Sequence, residues 1–280
     1  MKQTWAGVVD GLDREGLSAS LKWGGVVLTT QFQPIFGVNG PAQAGFEALV
    51  RAVDADGRIV RAEKLFDAAS RAGTLSVLDR ACRALHLRNF ATVDPGEGRL
   101  FLNVVPDAAV EDAARAEEFA ALVRYYGLTP KRLCIEVLAR PCVDETALVD
   151  AVAAYREIGA GIAMDDFGAG RSNFDRIGAL RPELVKIERS MLAEAMGESR
   201  AREHFASLVR MVGDSGAKVA IGGIESAPEA LLAIDSGARY LQGHYLAAPS
   251  SRLPGDDLGG RVVKRLLTLR SPGIAVATGD

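Results

Sequence analysis

The 280-residue sequence lacks the marks of several large protein classes. It has 3 cysteines, Cys82, Cys134 and Cys142, an odd number with no CxxC pair. That argues against a disulfide framework or a zinc finger and leads us to expect a reduced, cytoplasmic setting. No apolar run reaches the roughly 18 residues of a membrane helix. The opening MKQTWAGVVDGLDREG meets Asp10 and Asp13 before the apolar core of a signal peptide develops. Basic residues bring no surplus. Lys and Arg total 33 against 36 Asp and Glu, a net charge of −3, so general DNA binding is not expected. No low-complexity block, short repeat or Pro/Ser-rich linker divides the chain. A GxSxG word is also missing, which leaves serine-hydrolase chemistry without support.

What is present reads as a folded α/β protein. Hydrophobic residues make up 48% and charged residues 25%, near the averages for soluble domains. Short strand-like runs fall at Val26–Ile35, Ala44–Val50, Leu100–Val105, Leu133–Leu138, Gly161–Asp165, Leu184–Ile187, Lys218–Ile221 and Tyr240–Gln242. Helical stripes alternate with them: Phe205, Leu208, Val209 and Val212; Leu148, Val152, Tyr155 and Ile158; and Leu231, Leu232 and Ile234 after Pro228. Gly127, Gly159, Gly216 and Gly237 stand where helices should end. Strands alternating with helices at this length predict a (βα)8 TIM-like barrel. The rival, a doubly wound sheet, wants a GxGxxG turn after its first strand, and Gly37-Val38-Asn39-Gly40 does not supply one. The stretch from Gly37 to Gln43 reads instead as a hairpin loop, so the first strand should be antiparallel. The expected division is an N-terminal segment with a helix at 1–24, the barrel at 25–255, and a C-terminal helix with a flexible tail at 256–280. Val262, Val263, Leu266 and Leu267 among Arg261, Lys264 and Arg265 make that last helix amphipathic. Trp5 and Trp23 either dock the N-terminal segment on the barrel or meet another chain. His86 and His204 read as packing or surface residues, and His244 lies near the barrel mouth.

In such a barrel, chemistry sits where strands end. Glu47, Asn103, Glu136, Asp165, Asp166, Lys186, Glu225 and Gln242 lie in or just after the proposed strands and interrupt apolar runs. Taken singly, each reads as well as a turn or salt-bridge residue. Taken together, carboxylates converging on one mouth need cations, and oxygen donors of this kind suit Mg²⁺, Mn²⁺ or Ca²⁺ rather than zinc. Adjacent aspartates are suited to bridging two metals that activate water against a phosphodiester.

These residues stand in words that resemble the EAL domain family, barrel-fold phosphodiesterases of cyclic di-GMP. The words are Gln33-Pro34-Ile35, Glu47-Ala48-Leu49-Val50-Arg51, Leu102-Asn103-Val104, Asp165-Asp166-Phe167-Gly168-Ala169-Gly170, Lys186-Ile187-Glu188-Arg189-Ser190, and Gln242-Gly243 followed by Pro249. The resemblance runs in order over roughly residues 20 to 255. It implies that Glu47, Asn103, Glu136 and Asp165 hold a first metal, with Asp165 and Asp166 serving a second. It implies that Lys186 contacts the catalytic water and that Arg51 grips a substrate phosphate. Gln33, Leu49 and Gln242 would line the nucleotide site. The implied cofactor is Mg²⁺ or Mn²⁺, with Ca²⁺ as an inhibitory ion. The implied ligand is cyclic di-GMP, cleaved in active members to linear pGpG, and a homodimer is implied by the resemblance alone.

Two departures bear on activity. The family's AEGVET word reads Ile221-Gly222-Gly223-Ile224-Glu225-Ser226, so Gly222 replaces a glutamate that serves the second metal and the catalytic water. Glu225 is the remaining acidic candidate there. The ExxE word reads Glu136-Val137-Leu138-Ala139, and the lost glutamate normally pins the loop after the Asp165-Asp166 strand. That loop also changes, to Ala169 and Arg171-Ser172-Asn173. Losing a general base or metal ligand costs roughly 10²–10⁴-fold in rate. The expectation is a domain that binds cyclic di-GMP with hydrolysis lost or strongly impaired and the second metal poorly held. The alternatives are a slow metal-dependent phosphodiesterase and an interaction module that binds a protein partner and no nucleotide.

Overall fold

The computed structural model describes residues 5–13, 18–39, 44–93, 98–140, 142–168, 174–253 and 258–270. The expected loop changes at 169–173, the hairpin tip at 40–43 and the tail at 271–280 lie outside them. Eight strands close into a barrel: β1 (Val26–Gly37), β2 (Gly45–Asp54), β3 (Arg99–Val104), β4 (Leu133–Leu138), β5 (Gly161–Phe167), β6 (Leu184–Ile187), β7 (Lys218–Ile221) and β8 (Tyr240–Leu241). From β2 to β8 each strand runs parallel to the next. β1 is antiparallel to both its neighbours, β2 and β8, as the hairpin reading predicts. Its hairpin with β2 is longer than expected, pairing from Ile35↔Gly45 out to Val26↔Asp54. The outer part of that ribbon lines one side of a cavity with Leu49 and Arg51.

Helices surround the ring: α1 (Trp5–Asp10), α2 (Ala62–Arg71), α3 (Leu75–Val93), α4 (Pro106–Asp112), α5 (Ala116–Tyr125), α6 (Glu145–Glu157), α7 (Phe174–Leu180), α8 (Arg189–Gly197), α9 (Ser199–Asp214), α10 (Ala227–Asp235) and α11 (Leu258–Arg270). Their stripes pack as the periodicity predicts. Phe205, Val209 and Val212 are buried on α9, and Val263 and Leu266 on α11. Ile158 falls just past the end of α6, where it caps the helix rather than extending its stripe. Ser226 and Glu229 open α10 with a reciprocal capping box.

The strands explain how the barrel is filled. In β4, Leu133, Ile135 and Val137 face the helices, so Cys134 and Glu136 must face inward. One inward layer is apolar: Ile35, Phe101, Cys134, Ala163, Leu184 and Ala220 pack together as a separate core. Two residues further toward the mouth, the same side of each strand carries a different chemistry.

A second polar system lies outside the ring. On α3, Asp79, Arg80 and Arg83 are buried, and Asp112 at the end of α4 sits among them. Arg83 Nε donates to Asp79 Oδ1 at 2.8 Å and Nη2 to Asp112 Oδ2 at 2.5 Å, while Nη1 donates to the Tyr155 hydroxyl at 2.9 Å. Trp5 resolves its two readings in favour of the barrel. Its ring lies 4.9 Å from the Arg83 guanidinium and 4.9 Å from the Phe119 ring. α1 thus lids a buried ionic network.

His86, further along α3, is buried with Nδ1 2.7 Å from Thr30 Oγ1. Burial, reinforced by the positive charge of Arg51, pushes its imidazole from the ordinary 6.5 down to about 3. The unfolded chain therefore binds a proton between those values that the folded chain refuses, and stability falls as pH drops below 6.5. We expect this residue to remove about 2 kcal/mol between pH 7 and pH 5. Urea unfolding at both pH values checks it, with His86→Gln expected to flatten the difference. An undiminished drop in that variant would assign the acid sensitivity elsewhere.

Candidate functional site

The mouth of the barrel carries one polar layer. Gln33, Glu47, Asn103, Glu136, Asp165, Lys186 and Gln242 each stand two residues along from the apolar layer, on or directly after seven of the eight strands. The eighth place, two residues beyond Ala220, belongs to Gly222.

Lys186 is the hub of this layer. Its Nζ donates to Glu47 Oε2 at 2.8 Å and lies 3.1 Å from Glu136 Oε1 and 3.4 Å from Asp165 Oδ1. Glu47 also accepts from Asn103 Nδ2 and from Gln242 Nε2, each at 2.7 Å. Gln242 Nε2 reaches Gln33 Oε1 at 3.3 Å, and Gln33 in turn donates to the Ala247 carbonyl at 3.2 Å. Burial works against the charge on every carboxylate, with different outcomes. At Glu47, Lys186 and the two amides overcome it and hold the carboxyl below its ordinary value. At Glu136, burial wins and the carboxyl is lifted well above the ordinary range. Asp165 is raised to about 6, first by burial and then by Glu47 and Asp166, against the pull of Lys186. Lys186 itself is driven well above its ordinary value, because the three carboxylates outweigh its burial.

A divalent cation fits this donor set. Oxygens of Glu47, Glu136 and Asp165 lie within 4.8 Å of one another. Once ionised, as a bound cation would hold them, the three carboxylates outweigh the one ammonium by two negative charges. Asn103 Oδ1 and Glu136 Oε2 are buried with no hydrogen-bond donor among the described residues. Buried oxygens without donors are costly, and a hard cation is the partner that satisfies them. Glu47, Asn103, Glu136 and Asp165 are the residues that would hold it.

Asp166 reaches the same space by a different route. Side chains alternate along a regular strand, so neighbours such as Asp165 and Asp166 should point apart. Here the β5–β6 register shifts between Met164 and Phe167, and Asp166 takes φ +57°. This bulge, in a conformation that aspartate tolerates better than most residues, brings both carboxylates to the mouth. The sequence suggests the turn chemistry of the pair but not the bulge. Asp166 is also raised, chiefly by burial.

Two cavities meet at these aspartates. One, of about 270 Å³, is lined by Leu49, Arg51, Glu63, Phe66, Asn103, Arg140, Asp165 and Asp166 among others. The other, of about 230 Å³, is lined by Gln33, Glu47, Lys186, Arg189, Gly222 and Gln242 with the same two aspartates. Leu49 and Arg51 lie on the wall made by the β1–β2 ribbon. There Arg51 Nε donates to Gln31 Oε1 at 2.7 Å and Nη1 to the Val50 carbonyl at 2.9 Å. Glu225 is not brought into the cluster. Both its oxygens accept from the Arg189 guanidinium on the exposed rim.

Gly222 is a gap and not a structural necessity. A Cβ placed there would meet only the Ile187 carbonyl oxygen at 3.8 Å, an ordinary contact. Gly223 is the opposite: at φ +68° its Cβ would fall 2.7 Å from Arg189 Cβ. Ala139 is tied through its backbone N–H to the Asp165 carbonyl at 2.9 Å. Arg176 on α7 forks onto Glu145 and donates through Nη1 to the Arg140 carbonyl at 2.5 Å. Sequence reasoning passes over this tie, because an arginine in a surface-like helix gives no sign of its distant partners.

Comparisons with known proteins agree with this fold. Cyclic di-GMP phosphodiesterase RocR of Pseudomonas aeruginosa is 29% identical over 157 residues, covering 54% of this chain and 38% of that protein. Signaling protein YkoW of Bacillus subtilis is 23% identical over 78% of this chain and 28% of its own. The chain thus spans well under half the length of either relative. Among solved structures, the Klebsiella pneumoniae BlrP1 calcium/cyclic di-GMP complex superposes with a TM-score of 0.71 at 23% identity, over 80% of this chain and 56% of that one. The FimX EAL domain of Pseudomonas aeruginosa bound to cyclic di-GMP gives 0.71 at 20% identity, over 82% and 93%. At such identities the structures share the fold. The EAL domain model itself matches residues 21–249, most of the sequence, and the chain belongs to the EAL domain family.

Proposed function

We propose that this domain binds cyclic di-GMP at the barrel mouth and hydrolyses it poorly or not at all. The observation that carries the reading is the polar layer with its single gap. Seven strands supply a polar side chain to the mouth, and Gly222 supplies none. A bound Mg²⁺ or Mn²⁺ would neutralise phosphate charge and make water more acidic. Glu47, Asn103, Glu136 and Asp165 would hold the ion, and Lys186 keeps a proton-bearing ammonium against the three carboxylates. Gln242 donates to Glu47, and Gln33 in turn accepts from Gln242. Leu49 and Arg51 form one side of the nucleotide groove. Asp166 with Asp165 would be left to hold a second cation without the carboxylate that Gly222 lacks. Glu225, paired with Arg189, does not make up the loss. The buried carboxylates also support retained ligand binding over a pure interaction module, since unused buried charge is costly.

From the same resemblance we carry forward a homodimer and the domain limits 25–255. No helix among the described residues is long and apolar enough to cross a membrane. The three cysteines are free, which supports a cytoplasmic setting.

Titration calorimetry with cyclic di-GMP, with and without Mg²⁺, followed by chromatography of the same sample, tests the reading. Binding without pGpG is the expected result. Accumulating pGpG would replace it with a slow phosphodiesterase. Neither binding nor product would overturn nucleotide recognition and leave the interaction module.

A further inference from the structure

One strong charge at the mouth belongs to none of the motif words. Arg140 follows directly on Ala139 beyond the end of β4, and it lines the same cavity as Leu49, Arg51, Asp165 and Asp166. We propose that Arg140 is a second phosphate-gripping residue of the groove, holding an anionic phosphodiester of the cyclic dinucleotide beside Asp166. The proposal rests on the nucleotide-binding reading above and adds a recognition residue to it.

Three observations carry it. First, the base of Arg140 is rigid. Its carbonyl accepts from Arg176 Nη1 at 2.5 Å, Arg176 is 4% exposed, and the neighbouring Ala139 N–H is bonded to Asp165 at 2.9 Å. The side chain therefore departs from a backbone fixed to the strand that carries the aspartates. Second, its guanidinium makes no hydrogen bond or ion pair among the described residues. Among the described residues lining the two cavities, the other two arginines are engaged, Arg51 with Gln31 and the Val50 carbonyl, and Arg189 with Glu225. An unengaged guanidinium has five N–H donors in a planar fork, a geometry that matches two phosphate oxygens at once. Third, the cavity places Arg140 between two walls: Asp165 and Asp166 of β5 line it on one side, and Glu63 and Phe66 of α2 on the other. A cyclic dinucleotide carries two phosphates. If one lies at the Lys186 cluster, the groove toward α2 needs a cation for charge balance, and Arg140 stands there.

The test is cyclic di-GMP titration in a Ca²⁺ buffer, at low and at moderate salt, for the wild type, Arg140→Ala and Arg140→Lys. Melting curves on the same samples report folding. We expect Arg140→Ala to melt with the wild type and to bind roughly 10- to 100-fold more weakly, the range of a charged hydrogen-bond pair. Its affinity should also depend less steeply on salt. Arg140→Lys should recover part of the loss, because it restores charge without the fork. Unchanged affinity in Arg140→Ala would overturn the proposal and leave nucleotide binding intact. Absence of binding by the wild type would overturn both.

Discussion

Placing a glutamate at position 222 should raise cyclic di-GMP hydrolysis by roughly 10²-fold or more, the scale on which general bases and metal ligands act. The site is ready to receive it. A Cβ there meets nothing closer than 3.8 Å, and the position opens into the cavity shared by Lys186, Asp165 and Asp166. Gly222→Glu would complete the polar layer with the one donor it lacks. Gly222→Ala is the control, since it changes the backbone's freedom equally and adds no oxygen. Initial rates of pGpG formation in Mg²⁺ and Mn²⁺ separate the two variants. A silent Gly222→Glu would move the block to Ala139 and the loop that follows β5, and Ala139→Glu in the same background would then be the variant that gains activity.

The second large effect concerns stability. Asp112 is 1% exposed and its carboxylate serves Arg80 and Arg83 together, with Arg115 at 3.6 Å. Asp112→Asn keeps the shape and leaves two buried guanidinium groups short of a counter-charge. We expect a loss of about 3–5 kcal/mol by urea unfolding, the usual consequence of removing one member of a buried ion pair. In a domain of this size that corresponds to a melting point lower by roughly 10 °C. Arg115→Ala, at the rim of the same network, should cost under about 1 kcal/mol. A loss that small for Asp112→Asn would mean that water enters beneath α1 and solvates the arginines. The network also reaches the mouth: Asp79 Oδ2 accepts from the Val105 N–H at 3.0 Å, two residues beyond Asn103.

Much of this architecture is legible in the sequence, for reasons specific to barrels. Inward and outward residues alternate on each strand, so an acid or amide inside an apolar run marks the mouth. Glu136 within Leu133–Leu138 and Lys186 within Leu184–Ile187 are plain examples. The antiparallel first strand follows from a loop too short for a helical crossover. The features that escape are set by backbone geometry or by distant partners. Asp166 depends on a bulge that no composition announces. Arg80 and Arg83 have the look of helix-surface residues, and only the meeting of α1, α3 and α4 makes them interior. Arg176 binds Glu145 and the Arg140 carbonyl, each more than thirty positions earlier, and a single sequence gives no sign of such pairs.

The way the ring is sealed has a consequence for how the site comes into being. β1 and β8 join through Phe36↔Leu241 and Gly37↔Tyr240, and Phe32 exchanges backbone hydrogen bonds with Ser250 at 2.8 and 3.0 Å. The first and last strands of the barrel are therefore mutual neighbours. During synthesis Glu47 leaves the ribosome long before Lys186 and Gln242, the groups that later hold its charge. Until the last strand emerges the acidic mouth is an open arc with an unpaired edge on each side. Contacts of such sequence separation form slowly, and they form late. The mouth is thus all-or-none with respect to chain completion: a nascent or truncated chain ending before Tyr240 would carry most of the polar layer on an open arc and no closed mouth.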